Sequence, residues 1–243
     1  MTKTKITTKE IKIPAYEGDA FMAYIAMPED ASDTKKYPAL VMIQEIFGVN
    51  QEMRNKCEEY AAMGYITICR DLFWRIQPNI QLVDNKEEEL KRAFELFGQF
   101  STELGIEDLK TTVGYARHMP EVNKKVGAIG YCLGGHLSYR LAAACELDAA
   151  VSYYGVNIHE HLDEIPLIKE PLMLHIAGED EFVNKDAQAK ILAAVDPIEN
   201  ITAYRYDGVN HAFARGQGTH YDKPSADIAN ERSQTFLKDH LSS

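Results

Sequence analysis

The sequence predicts an α/β fold, with a mostly parallel central sheet, helices on both faces and an antiparallel hairpin near the N-terminus. Three observations carry this expectation. Short runs of continuous apolar residues, such as 39–43, suit strands covered on both faces. Segments with apolar residues at helical spacing alternate with them. No linker, repeat or change of composition divides the chain, so residues 1–243 read as a single domain.

The elements follow in order. Residues 11–13 and 21–27 alternate apolar and polar positions around Glu17, Gly18 and Asp19, the pattern of an edge hairpin. Pro28 and the polar run to Lys36 make a turn before the strand at 39–43. Asn50 caps a helix through Met53, Cys57, Tyr60 and Ala61, and Gly64 stops it. A strand returns at 65–69. Helical spacing recurs over 87–100 and 106–118, the second segment ended by Pro120. Residues 125–129 form a strand, 135–144 a helix of small residues and 149–153 a strand. The last third repeats the alternation: strand 172–176, helix 185–194, strand 201–206 and a closing helix from about 226 to 241.

Apolar residues make up 45% of the chain and charged residues 26%, enough of the former for a sizeable core. The 26 basic against 37 acidic residues give a net charge of -11, which works against attraction to phosphate backbones. No run of Lys and Arg offsets it, so a nucleic-acid partner is not expected. The opening residues lack the apolar core of a signal peptide, and no stretch reaches membrane-spanning length; a cytoplasmic protein without a membrane partner is expected. Cys57, Cys69, Cys132 and Cys145 show no metal-ligand spacing and read as free thiols, with no metal expected.

One cysteine stands apart. GYCLGG at 130–135 follows a strand and precedes a helix, the setting of a nucleophile elbow. Gly130 and Gly134 leave room for a turn tight enough to present Cys132 to a pocket. The helix start aims free N–H groups at the same place, where they favour a thiolate and hold an oxyanion. A cysteine nucleophile needs a base, and histidine suits neutral pH. Of the eight histidines, His118 ends a helix, His175 falls in an apolar strand as a packed core residue, and His136 lies in the helix leading away from the elbow. His159, His161, His220 and His240 sit in polar or terminal segments. His211 lies in a glycine-containing loop after the last strand, where loops at the carboxyl ends of strands converge on a ligand crevice. An acid between the two in chain order completes the set, and the loop at 178–180 supplies Asp180, with Glu179 and Glu181 as rivals by composition.

With these positions placed, the sequence resembles the dienelactone hydrolase (carboxymethylenebutenolidase) family of the α/β-hydrolase superfamily over nearly its whole length. The matching blocks are QEIFG at 44–48, GYCLGG at 130–135, YYG at 153–155, GEDEF at 178–182 and HAFAR at 211–215. The resemblance implies an α/β-hydrolase fold and a Cys132, His211 and Asp180 triad acting on a five-membered unsaturated lactone. It further implies that Glu45 takes part in forming the thiolate once substrate enters, and that the sulfur rests pointed away from the histidine until then. Glu45 also follows a strand ending at the same sheet edge, and its charge disfavours a resting thiolate. The backbone N–H groups of Leu133 and Ile46 match the oxyanion-hole donors. Arg215 matches an arginine that grips a substrate carboxylate, for which a guanidinium offers paired donors.

One position departs from the family. A second substrate arginine falls on Leu90 here, leaving Arg92, Arg75 or no residue at all in its place. Phe73, Trp74, Phe94, Phe97 and Tyr154 are further candidates for the pocket wall. The expected reaction is cofactor-free acyl transfer to Cys132, converting dienelactone to maleylacetate through a thioester. The expected partner is a small carboxylate-bearing lactone or ester, and the chain is a monomer or weak homodimer. A broad carboxylesterase or thioesterase is the enzymatic alternative, and a non-catalytic binding protein on the same scaffold is the alternative of another class.

Overall fold

The computed structural model describes residues 4–242, so residues 1–3 and 243 of the expected domain lie outside the described residues. The strands are β1 (Ile6–Pro14), β2 (Ala20–Pro28), β3 (Tyr37–Ile43), β4 (Ile66–Arg70), β5 (Val122–Tyr131), β6 (Ala149–Tyr153), β7 (Leu172–Ala177) and β8 (Ile201–Tyr206). They form one sheet in the order β1-β2-β4-β3-β5-β6-β7-β8. β1 and β2 pair antiparallel, as do β2 and β4, and every pair from β4 onward is parallel. The α-helices are α1 (Gln51–Ala62), α2 (Glu87–Gln99), α3 (Thr102–His118), α4 (Leu133–Ala144), α5 (Lys185–Val195) and α6 (Lys223–Leu241).

The mostly parallel sheet, the helices around it and the edge hairpin agree with the sequence. β4, β6 and β7 are buried at every residue, as expected of strands covered on both faces. β1 begins at Ile6, well before the alternating stretch, because it is the outer strand and most of its side chains face solvent. α3 begins at Thr102 rather than 106: Ser101 caps it by accepting the Leu104 N–H at 3.3 Å, and its first turn is too polar to read as periodic. Two short 3-10 turns, Ile158–Glu160 and Leu162–Leu167, follow β6 and have no periodic signal in the sequence.

The strand order explains where a site can form. From β3 the chain crosses through α1 to β4 on one side, whereas from β5 it crosses through α4 to β6 on the other. Right-handed crossovers therefore put α1 and α4 on opposite faces. Between β3 and β5 the connections diverge, and a crevice opens beyond the carboxyl ends of these two strands. Ile43 pairs with Gly130 there, so the loop holding Glu45 and Ile46 starts beside the one holding Cys132. Among the described residues, no helix is long and apolar enough to cross a membrane.

Candidate active site

Cys132 sits between β5 and α4 with φ 57° and ψ −116°, a backbone conformation that side-chain-bearing residues adopt only under constraint. The constraint is visible on both sides. Its N–H donates to the Tyr153 carbonyl at 3.0 Å, and its carbonyl accepts the His136 N–H at 3.1 Å. A Cβ on Gly130 would lie 1.9 Å from the Gly134 carbonyl oxygen, and one on Gly134 would lie 2.2 Å from that of Ile43. Both positions need glycine because backbone passes through the space a side chain would fill. Leu133 is the first residue of α4, so its N–H has no acceptor within that helix. The Ile46 N–H, on the buried loop after β3, meets no backbone or side-chain acceptor among the described residues.

β7 and β8 bring the other two members together. They pair up to Ala177 opposite Tyr206, and the loops that follow are tied by a Glu179 N–H donating to the Val209 carbonyl at 2.8 Å. His211 Nδ1 lies 2.9 Å from Asp180 Oδ2. The other oxygen of Asp180 accepts the Phe182 and Val183 N–H groups at 2.9 and 3.2 Å, which fixes the carboxylate. The rivals are excluded as this partner: exposed Glu179 pairs with Lys185, and exposed Glu181 lies 3.7 Å from His220. His211 Nε2 is buried with no hydrogen-bond partner, and its ring borders the same cavity as Cys132. Burial opposes a charged imidazole. The neighbouring Cys132 sulfur and Asp180 carboxylate outweigh it and raise the pKa of His211 to about 10 while the sulfur is free of an acyl group.

The cavity holds about 460 Å³ and is walled largely by Phe47, Leu90, Phe94, Phe97, Val156 and Phe182. Glu45 lies beside it, buried, with Oε2 accepting from Arg215 Nε at 2.6 Å and Oε1 without a partner. Arg215 Nη1 donates to Asp84 Oδ2 at 2.7 Å, and the guanidinium lies 4.7 Å from the centre of the Phe47 ring. Burial acts against this cation, but Glu45 holds its pKa above the ordinary arginine value. Asp84 went unnoticed in the sequence, because it lies in an aperiodic loop with no motif around it.

Several expected positions fall elsewhere. Phe73 is fully buried and packs edge-on against Phe100, away from the cavity. Trp74 packs against Phe21, donates to Asp108 at 3.0 Å and lies under Arg75. Arg75 grips Asp108 through two hydrogen bonds and Arg92 bonds to Gln77 and Glu95, so neither substitutes for a second arginine at the cavity. Leu90, at the departing position, lines the cavity instead, as do Phe94 and Phe97. Tyr154 backs the site rather than lining it, with φ 38° and its ring edge-on to His211 at 5.1 Å. His175 belongs to the core, bonded to Tyr206 and Ser233 at 2.8 Å each. Cys57 and Cys69 are buried, and burial pushes the Cys145 thiol up to about 11. Among the described residues, no three metal-ligating side chains cluster.

The family model of the dienelactone hydrolases matches residues 21–241, nearly all of this architecture and every site residue described above. The chain belongs to the dienelactone hydrolase family. Within it, the carboxymethylenebutenolidase of Pseudomonas putida is 36% identical over 230 residues, covering 95% of this chain and 96% of its own. A chain from Azospirillum brasilense, provisionally named a carboxymethylenebutenolidase, is 42% identical over 238 residues, covering 96% and 99%. A crystal structure from Klebsiella pneumoniae, described provisionally as a dienelactone hydrolase, superposes with a TM-score of 0.85 at 24% identity, covering 96% and 99%, a likeness of fold. Like other dienelactone hydrolase family members, the protein is thus a hydrolase of lactone or ester bonds at the level of the family, in the α/β-hydrolase superfamily.

Proposed function

We propose that the protein hydrolyses small activated lactones or esters through a thioester on Cys132, with His211 and Asp180 completing the triad. One observation carries the reading: Asp180 holds His211 Nδ1 at 2.9 Å while Nε2, buried and unpartnered, borders the cavity that Cys132 enters. An imidazole held in this way donates from Nδ1 and keeps the Nε2 lone pair free to accept a proton, which is what deacylation requires.

The thiol proton passes to Glu45, whose Oε1 lacks a donor, and the sulfur attacks the carbonyl carbon. The Leu133 and Ile46 N–H groups hold the resulting oxyanion. The C–O bond breaks, giving a thioester and an enolate or alkoxide that takes the proton back. Water then attacks the thioester while His211 Nε2 takes its proton. Collapse releases the carboxylic acid product and the sulfur, which His211 reprotonates. For dienelactone, the substrate class that the relatives' names point to, the product is maleylacetate.

A second reading, a broad carboxylesterase for small activated esters, gains support from the cavity wall. Arg215 is already paired with two carboxylates, and Leu90 stands where a second arginine would be. Turnover of cis- and trans-dienelactone against p-nitrophenyl acetate separates the two, since dominance of the simple ester favours the broad enzyme. The shared mechanism is tested by trapping an adduct during turnover and locating it by mass spectrometry. Cys132→Ala should lose more than about tenfold in kcat/KM with folding retained. An adduct on another cysteine, or activity surviving in Cys132→Ala, refutes the site and returns the question to a binding protein on this scaffold.

A further inference from the structure

We propose that Asp84 is a specificity-determining residue that commits the cavity to uncharged acyl substrates, an inference that rests on the hydrolase reading above. Arg215 lines the cavity, and two carboxylates already share it, Glu45 at 2.6 Å and Asp84 at 2.7 Å. One guanidinium between two carboxylates leaves the cluster with a net charge of −1. A substrate carboxylate seeking Arg215 would have to displace Asp84, or lie against it, after leaving water. The remaining wall offers it little. Leu90, Phe94, Phe97 and Phe182 are apolar, Glu181 repels it, and His220 faces Glu181 at 3.7 Å.

The placement of Asp84 is built into the loops. The Leu82 N–H donates to the Phe47 carbonyl at 2.9 Å, and Asn50 Nδ2 donates to the Leu82 carbonyl at 2.9 Å. Gly48 forms a bridge with Gln81, and a Cβ on Gly48 would lie 1.8 Å from the Ile80 carbonyl oxygen. From the other side, the Thr219 N–H donates to the same Asp84 oxygen that holds Arg215, at 3.2 Å. Asp84 therefore takes the position of an anion against Arg215, and the apolar wall opposite fits an uncharged hydrocarbon chain.

The test uses two nearly isosteric esters, 4-nitrophenyl hexanoate and mono-4-nitrophenyl adipate, which differ by a methyl against a carboxylate. The wild-type protein should favour the hexanoate at least about tenfold in kcat/KM at pH 7.5, and Asp84→Asn should move that ratio toward the adipate by about tenfold or more. Binding of hexanamide and adipic acid monoamide to Cys132→Ala, followed by calorimetry, reads the same preference without turnover. It separates failure of this inference from failure of the hydrolase reading. A preference for the uncharged amide that shrinks when Asp84→Asn is added supports the inference even if neither ester is cleaved. Equal binding, a wild-type preference for either anion, or a ratio unmoved by Asp84→Asn in a folded protein overturns it.

Discussion

Replacing Asp180 by Asn removes one charge from the candidate triad while leaving its shape. The carboxylate Oδ2 lies 2.9 Å from His211 Nδ1, and both side chains are buried. At that distance and an effective dielectric constant near 20, attraction between a carboxylate and the imidazolium formed in deacylation is about 6 kcal/mol. Its complete loss would slow the step by about 10⁴-fold. The amide oxygen can still accept the Phe182 and Val183 N–H groups, so the loop should keep its conformation. The amide nitrogen would then face Nδ1 as a donor and drive the imidazole proton to Nε2, the atom that must accept one from water. Asp180→Asn should therefore lower kcat for an activated ester by about 10³- to 10⁴-fold, with little change in kcat/KM or in thermal stability. Stopped-flow measurement should show a surviving acylation burst followed by stalled turnover, because the deficit falls on deacylation. A folded Asp180→Asn protein retaining more than about a tenth of wild-type turnover would refute the reasoning.

Two further expectations concern the scaffold. Gly134→Ala forces a Cβ to 2.2 Å from the Ile43 carbonyl oxygen and 2.6 Å from that of Gln44, both rigid backbone, so stability should fall by more than about 2 kcal/mol. Urea unfolding measures this, and an unchanged midpoint would mean that the elbow yields more readily than its contacts suggest. His175 is fully buried, and burial lowers its pKa to about 3. The unfolded chain therefore binds a proton there that the native state does not, and stability should fall as pH drops from about 6.5 toward 3. His175→Gln should flatten that slope in urea unfolding series between pH 7 and 4, whereas a slope identical to wild type would remove His175 as a contributor.

The parts of the site legible in the sequence were those that local backbone chemistry dictates. The elbow is written in Gly130, Cys132 and Gly134 because a tight strand-to-helix turn tolerates few residue types. The sequence singles out His211 and Asp180 because each lies in the loop after a strand, and parallel neighbours deliver such loops to one edge. β6 and β8 agree end to end with the sequence reading because turn residues bound them sharply. The misplacements share a different cause. Phe73 and Trp74 follow a strand at the same edge, yet their rings turn toward Phe100 and Phe21, and only tertiary packing decides that direction. Asp84 meets Arg215 across 131 positions of sequence through loop-to-loop hydrogen bonds that carry no pattern in the chain.

The bonds joining the segment near Gly48 to that near Leu82 have a bearing on how such a protein can change. Ile46, whose amide is the proposed oxyanion donor, and Asp84, the proposed filter of what reaches it, travel as one laced unit. An insertion or deletion between Phe73 and Asp84 would retune substrate choice and, through the same lacing, disturb the oxyanion donor. Single substitutions at Asp84 escape that penalty, so evolution or a protein engineer seeking new substrates has an easier path through side-chain exchange than through remodelled loop length.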